Sequence, residues 1–256
     1  METKIKIHKE PELKNPILIE GLPGIGNVGR VCAGYLIDKL DGEKVADIVS
    51  PHFLPLVALD ENAEAHMLKN SIYHCKGDKD QDLLILTGDT QSVSGEGHYD
   101  VCSKVMEFAD KMNVKEIITI GGFSTDEEPD EPSVVGAVTD KKLIKEYKNY
   151  DIKFDEDKPV GTIVGSTGLL LGMAKDMGMK GLTLMGETMG FPLITDPKAA
   201  DAILNVLIDI LDLDVDLEKL EKAVEEMEGQ IKKTEKIHRK MMQSQKKSSN
   251  NMKYIG

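Results

Sequence analysis

The sequence predicts an α/β protein: an open, mostly parallel sheet with helices on both faces, an inserted edge hairpin and a C-terminal helical arm. Three observations carry that expectation. Short runs rich in Leu, Ile and Val recur along the chain, glycines follow several of them, and stretches with helical apolar spacing fill the intervals. Strands buried on both faces read as near-continuous apolar runs, and joining two parallel strands takes a crossover, usually a helix. The alternation therefore marks repeated βαβ units.

Taken in order, the expected strands are residues 17–19, 45–49, 83–86, 117–120, 162–164 and 182–184, with helices at 30–40, 99–112, 141–147, 166–177 and 197–211. The stripe is clearest at 99–112, where Val101, Val105, Phe108, Ala109 and Met112 share one helix face. Residues 53–76 break the pattern. Apolar runs at 56–59 and 71–75 are joined by Asp60-Glu61-Asn62-Ala63 with no long helix between, which predicts an antiparallel pair inserted at the sheet edge. Residues 126–132 are too acidic and proline-rich for regular structure and read as a loop.

The C-terminal part differs in kind. Leu217, Leu220, Val224, Met227, Ile231, Thr234, His238 and Met241 are separated by alternating steps of three and four, a heptad seam. Glutamates crowd its start and Lys and Arg its end, each sign at the helix terminus it stabilises. The seam suits packing against the body or against a sister arm, and the spacing leaves both open. Residues 243–251 are too polar to order themselves. The expected organisation is a body over 1–212, an arm over 213–242 and a basic tail over 243–256.

Charge and composition exclude several functions. The 256 residues carry 32 Lys+Arg against 45 Asp+Glu, a net charge of −13 that repels nucleic acid and anionic lipid. No apolar run approaches the roughly 18 residues that span a bilayer. The opening residues lack a signal peptide's apolar run and the three Cys lack CxxC spacing, so the expected compartment is a reducing cytoplasm. The histidines have no metal-ligand spacing, and neither a P-loop nor a GxSxG elbow with partners is present, so no metal, cofactor or catalytic residue is expected.

Two features remain. The segment Gly21-Leu22-Pro23-Gly24-Ile25-Gly26-Asn27-Val28-Gly29 places Gly24, Gly26 and Gly29 in a GxGxxG between an expected strand and helix, where backbone N–H groups can approach a pyrophosphate. The acid expected about 20 residues later is missing, since Ser50 stands there and Asp47 lies inside the strand pattern. The alternative is a tight turn packed closely on the sheet. Other strand ends carry Thr87-Gly88-Asp89-Thr90-Gln91, Gly121-Gly122-Phe123-Ser124, Gly165-Ser166-Thr167-Gly168 and Gly186-Glu187-Thr188, either lining a ligand crevice or serving as turns and caps, Ser166 among the caps. The second feature is the tail. Residues 229–256 hold eight Lys or Arg against one Glu, a net +7 that leaves −20 for the rest. Ending on Met252-Lys253-Tyr254-Ile255-Gly256, this segment is either built to dock in a partner's pocket or a frayed terminus.

The glycine segment, Leu86-Thr87-Gly88, Gly121-Gly122-Phe123 and Gly161-Thr162-Ile163-Val164-Gly165 with Gly168-Leu169-Leu170 resemble the proteasome assembly chaperone 2 family, including its archaeal homologues. The resemblance covers about residues 17–211. It implies a nucleoside-phosphorylase-like α/β body, no enzymatic activity, homo-oligomerisation, and C-terminal tails that bind the α-ring of the proteasome core particle. Partner-binding residues would then be Met252, Tyr254, Ile255 and Gly256. The family's tail has a penultimate Tyr, whereas here Ile255 is penultimate and Tyr254 precedes it. Two registers are open: Ile255 in the Tyr place, or Tyr254 in its pocket with a longer carboxyl end. A nucleotide- or nucleoside-binding enzyme using Gly24, Gly26 and Gly29 is the other reading.

Overall fold

The apolar runs become the middle of one eight-stranded sheet. The computed structural model describes residues 2–224 apart from 61, 78–79, 126–128, 155–160, 190–194 and 221. Its strands are β1 (Lys4–Ile7), β2 (Ile17–Glu20), β3 (Glu43–Val49), β4 (Val57–Leu59), β5 (Ala65–Met67), β6 (Asn70–Lys76), β7 (Asp82–Gly88), β8 (Glu116–Ser124), β9 (Val134–Val138) and β10 (Lys180–Thr188). The helices are α1 (Val28–Lys39), α2 (Gly95–Lys111), α3 (Ile144–Tyr147), α4 (Ser166–Asp176) and α5 (Pro197–Leu211).

The main sheet runs β1-β3-β6-β7-β2-β8-β10-β9, and β4 pairs only with β5. At its centre β7, β2, β8 and β10 are parallel neighbours. Because β3 is antiparallel to β6 and β6 to β7, β3 runs with these four, while β1, β6 and β9 run the other way. The carboxyl ends of β3, β7, β2, β8 and β10 therefore share one edge.

Period two in the strands divides two cores. Ile17, Ile19, Leu83, Ile85, Ile118 and Ile120 face α1 and α5, while Leu18, Leu84, Leu86 and Ile117 face α2 and α4. Helices on both faces bury both sides of the sheet, as the unbroken apolar runs require. Caps set the helix starts: the Ser94 hydroxyl accepts from Gly97 N–H at 3.1 Å and Asp196 Oδ1 from Ala199 N–H at 3.0 Å. At α4 the N-cap is Gly165 and not the expected Ser166, which is the first helical residue.

Other expectations are corrected at the sheet margins. Residues 162–164 form no strand; the place beside β10 is taken by β9, which pairs with Leu182–Gly186 antiparallel. The insertion after β3 does hold a hairpin, but its strands are β4 and β5, and the expected second strand at 71–75 joins the main sheet between β3 and β7.

After Leu211 the chain turns back along α5. Tyr35 of α1 donates from its hydroxyl to Asp216 O at 2.6 Å, and Leu213, Leu220 and Val224 are buried against the α1/α5 core. The described part of the heptad seam thus packs on the body. Its later members, from Met227 on, and Met252, Tyr254, Ile255 and Gly256 lie outside the described residues.

Candidate functional site

The carboxyl edge of β2 and β8 opens into a crevice of about 470 Å³ lined by the glycine segment, Gly121, Gly122, Phe123, residues 162–165, Gln91 and His98. The structure brings Gly24 and Gly29 to its wall. Gly26 is turned away, at φ +61°, and a Cβ there would sit 3.1 Å from Thr188 Oγ1 and 3.4 Å from Asp196 Cβ. Its carbonyl accepts from Asp196 N–H at 2.9 Å, which ties the loop to the start of α5.

The glycines answer to protein atoms. A Cβ at Gly29 would come within 2.5 Å of Ile120 O, and one at Gly21 within 2.1 Å of Gly29 O, so the start of α1 lies directly on β2 and β8. The dinucleotide reading also fails on topology. Strand β3, whose end would supply the ribose acid, is separated from β2 by β6 and β7, roughly 14 Å away at ordinary strand spacing. Ser50 there pairs with Thr3 Oγ1 at 2.7 Å, and Asp47 accepts from Ser71 Oγ at 2.6 Å and Lys69 Nζ at 3.1 Å.

Gln91 spans the crevice. Its Nε2 donates to Pro23 O at 2.7 Å, and its Oε1 accepts from Ser166 N–H at 3.0 Å and lies 3.3 Å from His98 Nε2. One side chain thereby satisfies a donor at the start of α4, a group that would otherwise be available to an anion. His98 Nδ1 is 2.9 Å from Ser94 O, within its own helix start. It is the one titratable side chain lining the crevice among the described residues.

Beneath the floor sits Glu20, fully buried at the end of β2. Its Oε1 accepts from Leu22 N–H at 3.3 Å and its Oε2 from the Thr167 hydroxyl at 3.2 Å. Burial outweighs these bonds and raises its pKa to about 7, because a charge there has lost water without gaining a cation. Gln91 lies in the crevice as its place at a strand end implied, though its bonds were not foreseen, and Glu20 was not anticipated from sequence; the available signal was a single carboxylate ending an otherwise apolar strand. Glu20 is covered by Thr167, so among the described residues it does not share the crevice with His98. At the tip of β4–β5, Asp60, Glu64 and His66 bring ligand-type atoms within 4.8 Å, all three exposed. Asp60 already accepts from Asn62 N–H, Glu64 N–H and lies 3.2 Å from His66 Nε2, which closes the turn. Among the described residues no helix is long and apolar enough to cross a membrane.

A model of the PAC2 family matches residues 18–235. The chain is 34% identical over 254 residues to the uncharacterized protein MJ1210 of Methanocaldococcus jannaschii, covering 98% of this chain and 96% of that one. Its structure is similar to that of Pyrococcus furiosus PbaB, described as an archaeal proteasome activator, with TM-score 0.81, 40% identity, and 94% and 99% of the two chains covered. It is also similar to Pyrococcus furiosus PbaA, described as an archaeal homolog of proteasome-assembly chaperone, with TM-score 0.74, 27% identity, and 95% and 99% covered.

Proposed function

The chain belongs to the PAC2 family, and from that premise we propose that it is a cytoplasmic binding protein of the proteasome, not an enzyme. It acts as a homo-oligomer whose C-terminal tails dock on the α-ring of the core particle to assist its assembly or regulate it. The observation that carries this reading is the 40% identity to an archaeal proteasome activator over nearly the whole of both chains. The sequence of the tail supports it. A terminal carboxylate pairs with a Lys lining an intersubunit pocket, Tyr254 or Ile255 fills the apolar floor, and Met252 adds apolar contact. The polar stretch 243–251 gives a reach of about 17 Å if it behaves as a coil, and several tails per oligomer multiply weak contacts through effective concentration. Nothing in the crevice favours the nucleotide reading, since Gly29 is packed on Ile120 O and the start of α4 is occupied by Gln91.

Deleting residues 252–256 should abolish co-purification with archaeal core particle while the circular dichroism spectrum and solution mass stay as in the full chain. Undiminished binding would remove the tail from the mechanism. Comparing Tyr254→Ala with Ile255→Ala decides the register, because the residue in the pocket is the one whose truncation weakens binding more.

A further inference from the structure

The carboxyl edge carries surface that the crevice does not explain. Ten large apolar side chains stand exposed among the described residues: Ile25 and Val164 line the crevice, seven others lie elsewhere along this edge, and Met177, at the far end of α4, is the exception. The density is greatest on the hairpin. Val57, Leu59 and Met67 are 47%, 62% and 65% exposed. Val57 lies opposite Met67 and Leu59 opposite Ala65, so all four share one face of the ribbon while Ala58 and His66 take the other. Among the described residues neither β4 nor β5 has a second strand partner. A two-stranded ribbon with an open apolar face is marginal alone in water and needs a third layer. Val93 and Tyr99, at the start of α2, extend the apolar surface, and Val93 N–H donates to His52 O just ahead of β4.

We propose that this edge is where two copies of the chain associate, the β4–β5 face of one packing on the same face of the other. The area fits: on this half of the edge Val49, Val57, Leu59, Met67, Val93 and Tyr99 together expose on the order of 600 Å², against about 800 Å² per partner in a standard interface of which somewhat over half is apolar. Charge narrows the occupant. With −20 over residues 1–228 and Asp60 and Glu64 at the hairpin tip, nucleic acid and anionic lipid are repelled. A second copy matches an apolar face with its own, the self-complementary contact of a two-fold dimer, and the acidic rims make that contact tighter as salt rises. The chain also returns to this edge: Leu217 and Leu220 line a groove with Pro197 and Lys198 at the start of α5. The contact deepens the several-tail reading above, and rests on it for its purpose, by setting two arms beside one another.

The test uses the full chain with Leu59→Glu and Met67→Glu combined, and a milder pair, Leu59→Ser and Met67→Ser, in case the first fails to fold. Sedimentation at tens of micromolar should show the wild type as an oligomer and either folded variant at half its mass or less. Core-particle binding should weaken by about a hundredfold with the lost avidity, although each tail is intact. A variant that keeps the wild-type mass overturns the proposal; if it also loses core-particle binding, the edge contacts the ring instead. A monomeric wild type overturns it as well. Failure of the tail reading looks different, since deletion of 252–256 would then leave both binding and mass unchanged.

Discussion

The two halves of the carboxyl edge have opposite characters. Around β2 and β8 the polar groups turn inward: the Gly26 carbonyl takes the Asp196 N–H, Gln91 joins Pro23 to Ser166, and Glu20 is sealed under Thr167. Around β3 and β6 the hairpin turns Val57, Leu59 and Met67 outward. The half with the conspicuous motif is the one whose groups are already used, and the half open to a partner carries no motif. Glycines at a strand-to-helix turn report close packing as readily as a ligand, and only the neighbouring atoms tell the two apart.

The largest expected effect tests the packed half. Glycine to alanine within a helix ordinarily gains up to about 1 kcal/mol. At Gly29 the new methyl would lie 2.5 Å from Ile120 O, so backbone must shift, and Gly29→Ala should lose about 3 kcal/mol in urea unfolding. A variant as stable as the wild type would mean the loop has room to spare, as a cradle awaiting a nucleotide has.

Glu20 supplies the next effect, and its sign is unusual for a carboxylate. Its pKa stands at about 7 in the fold against an ordinary 4.5. The folded chain therefore holds its proton more tightly than the unfolded chain, and stability is full below about pH 4.5 and lost as pH rises through 7. Glu20→Gln keeps an acceptor for Leu22 N–H and cannot ionise. It should be more stable than the wild type by about 2 kcal/mol at pH 8, with the gap closing near pH 4.5. Melts at the two pH values that show the same gap would refute the buried charge.

Much of this fold was legible and the exceptions have physical causes. The centre of the sheet was readable because parallel strands are apolar on both faces, and the expected helix at 197–211 coincides with α5 because Asp196 and Pro197 mark its start. The start of α2 was read four residues late, since Gly95 and Gly97 resemble a loop until Ser94 is seen to cap them. Strand β9 was missed and 162–164 was mistaken for it: β9 carries Gly136 in its middle, while Thr162, Ile163 and Val164 are β-branched but line the crevice and pair with no strand. The site was half legible. Gly24, Gly26 and Gly29 were found as residues, but what they contact depends on Ile120, Thr188 and Asp196, which are remote in sequence. Gln91 was legible as a polar strand-end residue, but its bonds were not, for the same reason, its partners lying 68 and 75 positions away.

Gln91 gives the smallest effect and the finest test of the packed half. Truncating it in Gln91→Ala, at a position that lines the crevice, opens room for water to replace the side chain at Pro23 O and at the N–H of the buried Ser166. The cost should be about 1 kcal/mol, that of ordinary hydrogen bonds and not of buried orphans. Gln91→Glu separates its two ends. It retains an acceptor for Ser166 N–H and adds a negative charge at the start of α4, which the helix favours. It also replaces the Nε2 donor with an oxygen facing Pro23 O, which repels it. If the crevice wall is held by the bond to the glycine loop, Gln91→Glu is no more stable than Gln91→Ala in urea. If it matches the wild type, the side chain serves only the end of α4, and the glycine loop keeps its shape through Gly21, Gly29 and Asp196 alone.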